Sequence, residues 1–100
     1  MVPAASAATP AAILYVDDEA ANRLIFDRTF GKEYRVLLAE SAEQALEILE
    51  RETVGLLLAD QRLPGMLGTE LLAAAKVRHP HVVRMVLTAY SDAAIVRPRW

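Results

Sequence analysis

The sequence predicts a single α/β domain built on a parallel β-sheet, and three observations support this. Apolar runs of strand length recur along the chain, as in Ile13–Val16 and Val54–Ala59. Segments with apolar residues at helical spacing separate these runs. The chain has 100 residues, of which 54% are hydrophobic and 24% charged, and this is enough to bury one core. Strands that alternate with helices form parallel βαβ units with helices on both faces of the sheet.

The order of the elements follows from these patterns. We expect four strands, at Ile13–Val16, Tyr34–Ala39, Val54–Ala59 and Val82–Thr88. We expect three helices, at Ala20–Phe30, from Ala42 through Arg51, and from Gly68 or Thr69 to about Arg78. Residues 60–68 are expected to form a loop, because they contain Pro64, Gly65 and Gly68. The third strand is apolar on both faces, which is typical of a central parallel strand.

Local signals mark the ends and the inner faces of the helices. Ser41 and Gln44 have the spacing of a capping box, which predicts Ser41 as the N-cap of the second helix. Gly31 follows the first helix and is predicted to be its C-cap. Apolar residues of the first helix recur at helical spacing at Ala21, Leu24, Ile25 and Phe30. The other two helices should bury stripes formed by Ala42, Ala45, Leu46, Ile48 and Leu49 and by Leu71, Leu72 and Ala75.

Two of the predicted strands end abruptly in acidic residues. Asp17 and Asp18 follow the first strand, and Asp60 follows the third. If these strands are parallel neighbours, the three carboxylates meet at one edge of the sheet, where ligands bind in open parallel sheets. Like charges this close repel one another unless a cation lies among them, and carboxylate oxygens suit Mg²⁺. The pattern indicates a site at which a metal ion and a phosphoryl group meet on a carboxylate.

Three segments together resemble the receiver domain of two-component response regulators. They are Val16–Glu19, the acid–Pro–Gly segment Ala59–Gly68, and Leu87–Tyr90, and they follow the family's order and separations over roughly residues 12–92. The resemblance implies a flavodoxin-like, doubly wound parallel sheet in a domain that we place at residues 12–100. It also implies that the chain accepts a phosphoryl group from a histidine kinase or a phosphotransfer protein and is not a turnover enzyme.

The resemblance implies a role for each site residue by its position. Asp60 matches the phosphoacceptor, and Asp17 and Asp18 match the metal-binding pair. The backbone carbonyl of Arg62 matches a main-chain Mg²⁺ ligand, and the Thr88 hydroxyl matches the group that hydrogen-bonds the bound phosphoryl group. Electrostatics agrees, because a carboxylate attacks an anionic phosphoryl group only when the charge is neutralised. The plainer alternatives are that Asp60 is a solvated loop acid or a helix cap, and that Asp17 and Asp18 form a helix N-cap with Asp18 or Glu19 near the helix start. Capping and metal binding can coexist.

The C-terminal part of the sequence departs from the family pattern. Twelve residues follow Thr88, where the family continues with a helix, a fifth strand ending in Lys-Pro and a last helix. No Lys stands at the position expected to pair with the phosphoryl oxygens, although Arg97 or Arg99 offers a positive charge of different geometry. A fold truncated after its fourth strand leaves that apolar strand at the sheet edge. We therefore expect a homo-oligomer that forms through this edge.

Composition and charge limit the other possible functions. The net charge of −2 provides no basic field for direct binding of nucleic acid. The absence of cysteine excludes a disulfide framework and fits a cytoplasmic protein. Residues 1–11 are expected to form a disordered leader, and no apolar stretch approaches the ~20 residues of a membrane span.

Two other functions stay open at this level. A degenerate receiver would keep its acids without switching and would act as a protein-binding or dimerisation module. An aspartate-nucleophile phosphohydrolase also combines acidic strand ends with Mg²⁺. Its nucleophile is expected in an Asp-x-Asp pattern after the first strand, whereas Asp17 and Asp18 are adjacent here.

Overall fold

The computed structural model describes residues 10–87. In chain order, its elements are β1 (Ala12–Val16), α1 (Ala20–Phe30), β2 (Val36–Ala39), α2 (Ala42–Arg51), β3 (Val54–Asp60), β4 (Arg62–Leu63), β5 (Met66–Leu67), α3 (Gly68–Arg78) and β6 (Val83–Leu87). The main sheet is parallel throughout, with the strand order β2-β1-β3-β6. The predicted α/β class and the central position of the third strand are both confirmed.

The strand order fixes where a ligand can bind. The chain adds β2 on one side of β1 and then β3 on the other side, so the direction of strand addition reverses between β1 and β3. At such a point the connections leave the carboxyl ends of the two strands in opposite directions and open a crevice between them. Val16 pairs with Ala59, so both strands end at the same level.

The main core lies between one face of the sheet and two helices. Along β1, Leu14 and Val16 are buried in this core together with Leu57 and Ala59 of β3. The helical stripes predicted for α2 and α3 are confirmed, and of their residues only Leu46 and Leu72 are partly buried. Because successive strand residues point to opposite faces, Tyr15 lies on the other face, where its ring stacks on Phe26 of α1.

Helix α1 forms at the predicted residues, but its apolar residues are not buried. The exposed fractions of Leu24 and Ile25 are 49% and 62%, and Phe30 is also exposed. No residue of α1 falls in the buried class, whereas four residues of α2 do. The spacing of apolar residues therefore predicted that a helix forms, although it did not predict how much of the helix is covered.

The helix caps agree with the sequence in position and differ in detail. The Ser41 hydroxyl accepts a hydrogen bond from the backbone N–H of Gln44, at 3.1 Å, as expected for an N-cap. The Gln44 side chain instead accepts from the backbone N–H of Glu40, one residue before the position that a capping box requires. Gly31 is the C-cap of α1, and its N–H donates to the Asp27 carbonyl at 2.7 Å.

The prediction of a loop over residues 60–68 is wrong in two respects. Asp60 is the last residue of β3, where it pairs with Leu87, and β4 and β5 form a short antiparallel hairpin. Pro64 and Gly65 form the turn of this hairpin. Gly65 has a φ of 76°, a backbone conformation that glycine adopts easily and residues with a side chain rarely adopt. The hairpin thus connects the end of β3 directly to the start of α3.

Several sequence-based predictions lie outside the described residues. These are the leader up to residue 9, the position of Thr88, and the roles of Arg97 and Arg99. Among the helices within residues 10–87, none has the length and apolar character needed to cross a membrane.

Candidate functional site

Three carboxylates meet at the crevice between β1 and β3. Asp17 and Asp18 directly follow β1, and Asp60 ends β3. One oxygen of each carboxylate lies within 4.8 Å of the corresponding oxygens of the other two. The structure therefore brings together the three acids that the sequence placed at strand ends. Parallel pairing of β1 with β3 accounts for this, because Val16 is level with Ala59.

Asp17 is the buried member of the cluster, with 2% of its surface exposed. Its Oδ2 accepts hydrogen bonds from the Tyr15 hydroxyl at 2.7 Å and the Asn22 amide at 3.0 Å. Its Oδ1 accepts from the backbone N–H of Glu19 at 2.9 Å. The Arg23 guanidinium donates to its backbone carbonyl at 2.7 Å. The bonds from Tyr15, Asn22 and Glu19 replace the hydration that the carboxylate loses on burial.

Asp18 and Asp60 are more accessible than Asp17. Asp18 is exposed and Asp60 is half-buried. Burial raises the pKa of the Asp60 carboxyl above its usual value, and the negative charges of Asp17 and Asp18 raise it further. The backbone N–H groups of Arg62 and Gln61 oppose this shift by hydrogen bonding. The three carboxylates therefore repel one another when they are ionised, and a cation bound among them would relieve this repulsion.

Neither Asp17 nor Asp18 is the N-cap of α1. The N-cap of α1 is Glu19, and its side chain makes no capping hydrogen bond. Asp17 accepts the N–H of Glu19 before the helix begins. Arg62 lies in β4, two residues after Asp60 and exposed. The assignment of its backbone carbonyl as a metal ligand stays a prediction.

Sequence reasoning missed the side chains that surround the acids. Tyr15, Asn22 and Arg23 all donate to Asp17, and none of them was singled out. The signal for Tyr15 was its position two residues before Asp17, since residues at this spacing share a face of a strand. Gln61 directly follows Asp60 in the chain. Its side-chain oxygen accepts the backbone N–H of Thr69 at 3.0 Å, and its own N–H donates to the Leu87 carbonyl at 3.0 Å.

The donor set fits Mg²⁺. All three candidate ligands are carboxylates, and hard oxygen donors are those that Mg²⁺ prefers. Two of them remain accessible to solvent, which suits an ion that keeps several of its waters. Thiolate and imidazole ligands, which favour other metals, are absent from the cluster.

Comparison with known proteins decides the family. Residues 13–98 match the family described as the response regulator receiver domain. The chain belongs to this family. Receiver domains are phosphoacceptors of two-component systems, and they bind Mg²⁺ at an acidic pocket such as the cluster described above. The predicted family and its flavodoxin-like fold are thereby confirmed.

Curated relatives of the receiver include long and short proteins. It is 42% identical over 82 residues to the hydrogenase transcriptional regulatory protein HoxA of Cupriavidus necator, covering 82% of this chain and 17% of HoxA. It is 35% identical over 86 residues to sporulation initiation phosphotransferase F of Bacillus subtilis, covering 85% of this chain and 69% of that protein. The chain therefore spans about a sixth of the length of HoxA.

Solved structures of receivers share the fold. The response regulator TrrA of Thermotoga maritima, in complex with Mg²⁺ and BeF, matches with a TM-score of 0.76 and 27% identity, over 88% of this chain and 77% of TrrA. A CheY-like receiver domain protein of Methanospirillum hungatei matches with a TM-score of 0.75 and 30% identity, over 86% of this chain and 72% of that one.

Proposed function

We propose that Asp60 is the phosphoacceptor of this receiver and that Asp17 and Asp18 hold a Mg²⁺ ion beside it. The observation that carries the proposal is the approach of the three carboxylates to within 4.8 Å at the carboxyl ends of β1 and β3. The phosphoryl donor is a phosphohistidine on a histidine kinase or a phosphotransfer protein. As an oxygen of Asp60 bonds to phosphorus, the P–N bond breaks and the imidazole nitrogen keeps the electron pair.

The residues of the cluster divide the work according to their exposure. Asp60 is half-buried at the end of β3, so part of its surface is accessible to an incoming phosphoryl group. Asp17 is fixed by its hydrogen bonds, while the exposed Asp18 remains free to approach the ion. When bound, Mg²⁺ neutralises the charge that separates a carboxylate from an anionic phosphoryl group. The chain then acts as a phosphoacceptor and not as a turnover enzyme.

Three further assignments rest on the family pattern. We propose the backbone carbonyl of Arg62 as an additional ligand of the ion. We propose that the Thr88 hydroxyl hydrogen-bonds the bound phosphoryl group and that Arg97 or Arg99 supplies the positive charge that the family takes from Lys. A hydroxyl that follows the end of β6 is well suited to report a new charge on Asp60, since Asp60 pairs with Leu87.

The test is the mass of the intact protein after incubation with Mg²⁺ and a small phosphodonor such as acetyl phosphate. We expect the parent to gain one phosphoryl mass and Asp60→Asn to gain none. Asp27→Asn, which makes the same change at an exposed position of α1, serves as the matched control and should react like the parent. An adduct on Asp60→Asn, or none on the parent, contradicts the proposal, and Mg²⁺ binding without an adduct points to a degenerate receiver.

We also propose that β6 mediates association with a second copy of the chain. In the part of the chain that the structure describes, β6 pairs with β3 on one side only. Three of its apolar residues are exposed, namely Val83 at 59%, Met85 at 51% and Leu87 at 40%. An unpaired, apolar strand edge pairs readily with a like edge.

Sedimentation equilibrium tests this association. We expect the parent to dimerise at micromolar concentrations and Met85→Glu to weaken the dimer, because the new charge would be buried at the contact. Val77→Glu places the same charge at an exposed position of α3 and should leave the dimer intact. A parent that stays monomeric, or a Met85→Glu dimer as strong as the parent's, contradicts this proposal.

We place the domain in the cytoplasm, because its phosphoryl donor is a histidine kinase or a phosphotransfer protein. Because the chain has no basic field, we expect that it does not itself bind nucleic acid.

A further inference from the structure

The buried residue Asp17 accepts hydrogen bonds from side-chain donors that belong to two elements. Tyr15 belongs to β1, whereas Asn22 and Arg23 belong to the first turn of α1. Their bonds account for Oδ2, which accepts from both Tyr15 and Asn22, and for the backbone carbonyl, which accepts from Arg23. A carboxylate has about four lone-pair sites. With two donors on Oδ2 and one on Oδ1, the remaining site is on Oδ1.

The Tyr15 hydroxyl has little freedom to leave this position. Tyr15 is 6% exposed, and its ring lies flat against Phe26, with centroids 4.3 Å apart and an interplanar angle of 4°. The ring of Phe26 in turn packs at a tilt on Phe30. Because stacking on Phe26 fixes the ring, the hydroxyl is held in one position, 2.7 Å from Oδ2 of Asp17.

The hydroxyl is also secured as a donor. Burial raises the pKa of Tyr15 well above its usual value, and the hydrogen bond to Asp17 and the charges of the nearby acids act in the same direction. An ionised phenol next to three carboxylates would add a fourth negative charge. An ionised carboxylate can only accept hydrogen bonds, so the Tyr15 hydroxyl is the donor in its bond to Oδ2 of Asp17.

From these contacts we infer that Tyr15 is a positioning residue of the metal site, which orients Asp17 so that Oδ1 faces the ion or its water. The inference rests on the proposed function, since it assumes that the acids hold Mg²⁺. Groups that hydrogen-bond a metal ligand from behind fix its orientation, and their loss typically weakens metal binding about 10- to 100-fold. Tyr15 acts through Asp17, and it is not itself proposed to touch the ion.

The test compares the Mg²⁺ dissociation constants of three proteins by isothermal titration calorimetry. Tyr15→Phe removes only the hydroxyl and keeps the ring that stacks on Phe26, and we expect its dissociation constant to rise about tenfold. Tyr34→Phe deletes the same atom from an exposed ring and should bind Mg²⁺ like the parent. Equal or tighter binding by Tyr15→Phe overturns the inference, because the hydroxyl would then serve only to stabilise the metal-free cluster.

A second measurement uses the parent sequence and does not depend on the folding of a variant. The tyrosines are replaced uniformly by 3-fluorotyrosine, and the ¹⁹F spectrum is followed as Mg²⁺ is added. We expect the Tyr15 resonance to shift with saturation and the Tyr34 resonance to stay in place, and an unmoved Tyr15 resonance counts against the inference. If the parent binds no Mg²⁺, the proposed function is contradicted as well. If the parent binds Mg²⁺ and Tyr15→Phe binds it equally well, only the role of Tyr15 is contradicted.

Discussion

The charge cluster leads to a prediction that runs against the usual effect of mutating a functional residue. Asp60→Asn should make the metal-free protein more stable. The substitution keeps the shape of the side chain, and the amide oxygen can still accept from the backbone N–H of Arg62, which hydrogen-bonds Asp60. It removes one of three negative charges whose oxygens lie within 4.8 Å of one another.

The size of the effect follows from Coulomb's law. Two unit charges about 4.8 Å apart repel by about 1 kcal/mol in water and about 3.5 kcal/mol at an effective dielectric constant of about 20. The substitution removes two such pairs, but Asp18 is exposed and solvent screens its share. We therefore expect the free energy of unfolding to rise by about 1 to 3 kcal/mol at pH 7 without metal.

The pH at which the variant is more stable than the parent follows from the raised pKa of Asp60. The pKa of Asp60 is raised in the folded protein, so folding favours the protonated carboxyl. The parent keeps this contribution below the pKa of the unfolded chain, for which 3.8 is the ordinary value, and loses it as the pH rises through the folded value. Asp60→Asn has no such loss. Its advantage should be greatest near neutral pH and should disappear in acid.

Urea denaturation at a series of pH values, with EDTA and then with Mg²⁺, is the measurement. A saturating ion at about 100 times its dissociation constant should stabilise the parent by about 2.7 kcal/mol, and the variant by less because it lacks one anionic ligand. An Asp60→Asn protein that is less stable than the parent at pH 7 in EDTA would refute the electrostatic reasoning. So would an advantage that persists at low pH.

Three other substitutions, with Leu24→Ala as a control, test the core, a helix cap and the backbone support of Asp60. Leu57→Ala in the fully buried centre of β3 should lower the free energy of unfolding by about 2 to 5 kcal/mol, against about 0.5 kcal/mol for the exposed Leu24→Ala, as measured by urea denaturation; equal losses would contradict the assigned core. Ser41→Ala should cost about 1 kcal/mol through loss of the N-cap, and no change in the urea midpoint would argue against that bond. Gly68→Ala should weaken Mg²⁺ binding as well as stability, because a Cβ there would collide with the backbone carbonyl of Asp60, and calorimetry showing parental affinity would exclude this coupling.

The sequence alone was sufficient to predict the sheet, the two buried helices and the three acids. β3 was predictable because it is apolar up to Ala59, and α2 was predictable because its apolar residues repeat at helical spacing. The acids are readable because parallel strands bring their carboxyl ends to one edge. These features depend on the local pattern of residues and on the topology, and both follow from the order of residues along the chain.

Only the tertiary structure decided which groups surround those acids. Tyr15 and Phe26 are eleven positions apart, and their stacking depends on how α1 lies on the sheet. The same packing leaves Leu24 and Ile25 exposed, although their spacing matches that of a buried stripe. A periodic pattern shows that a helix has an apolar face. Which residues cover that face depends on the distances between elements, and no local pattern encodes those distances. For this reason the three acids of the site were predictable from the sequence, and the donors that hydrogen-bond Asp17 were not.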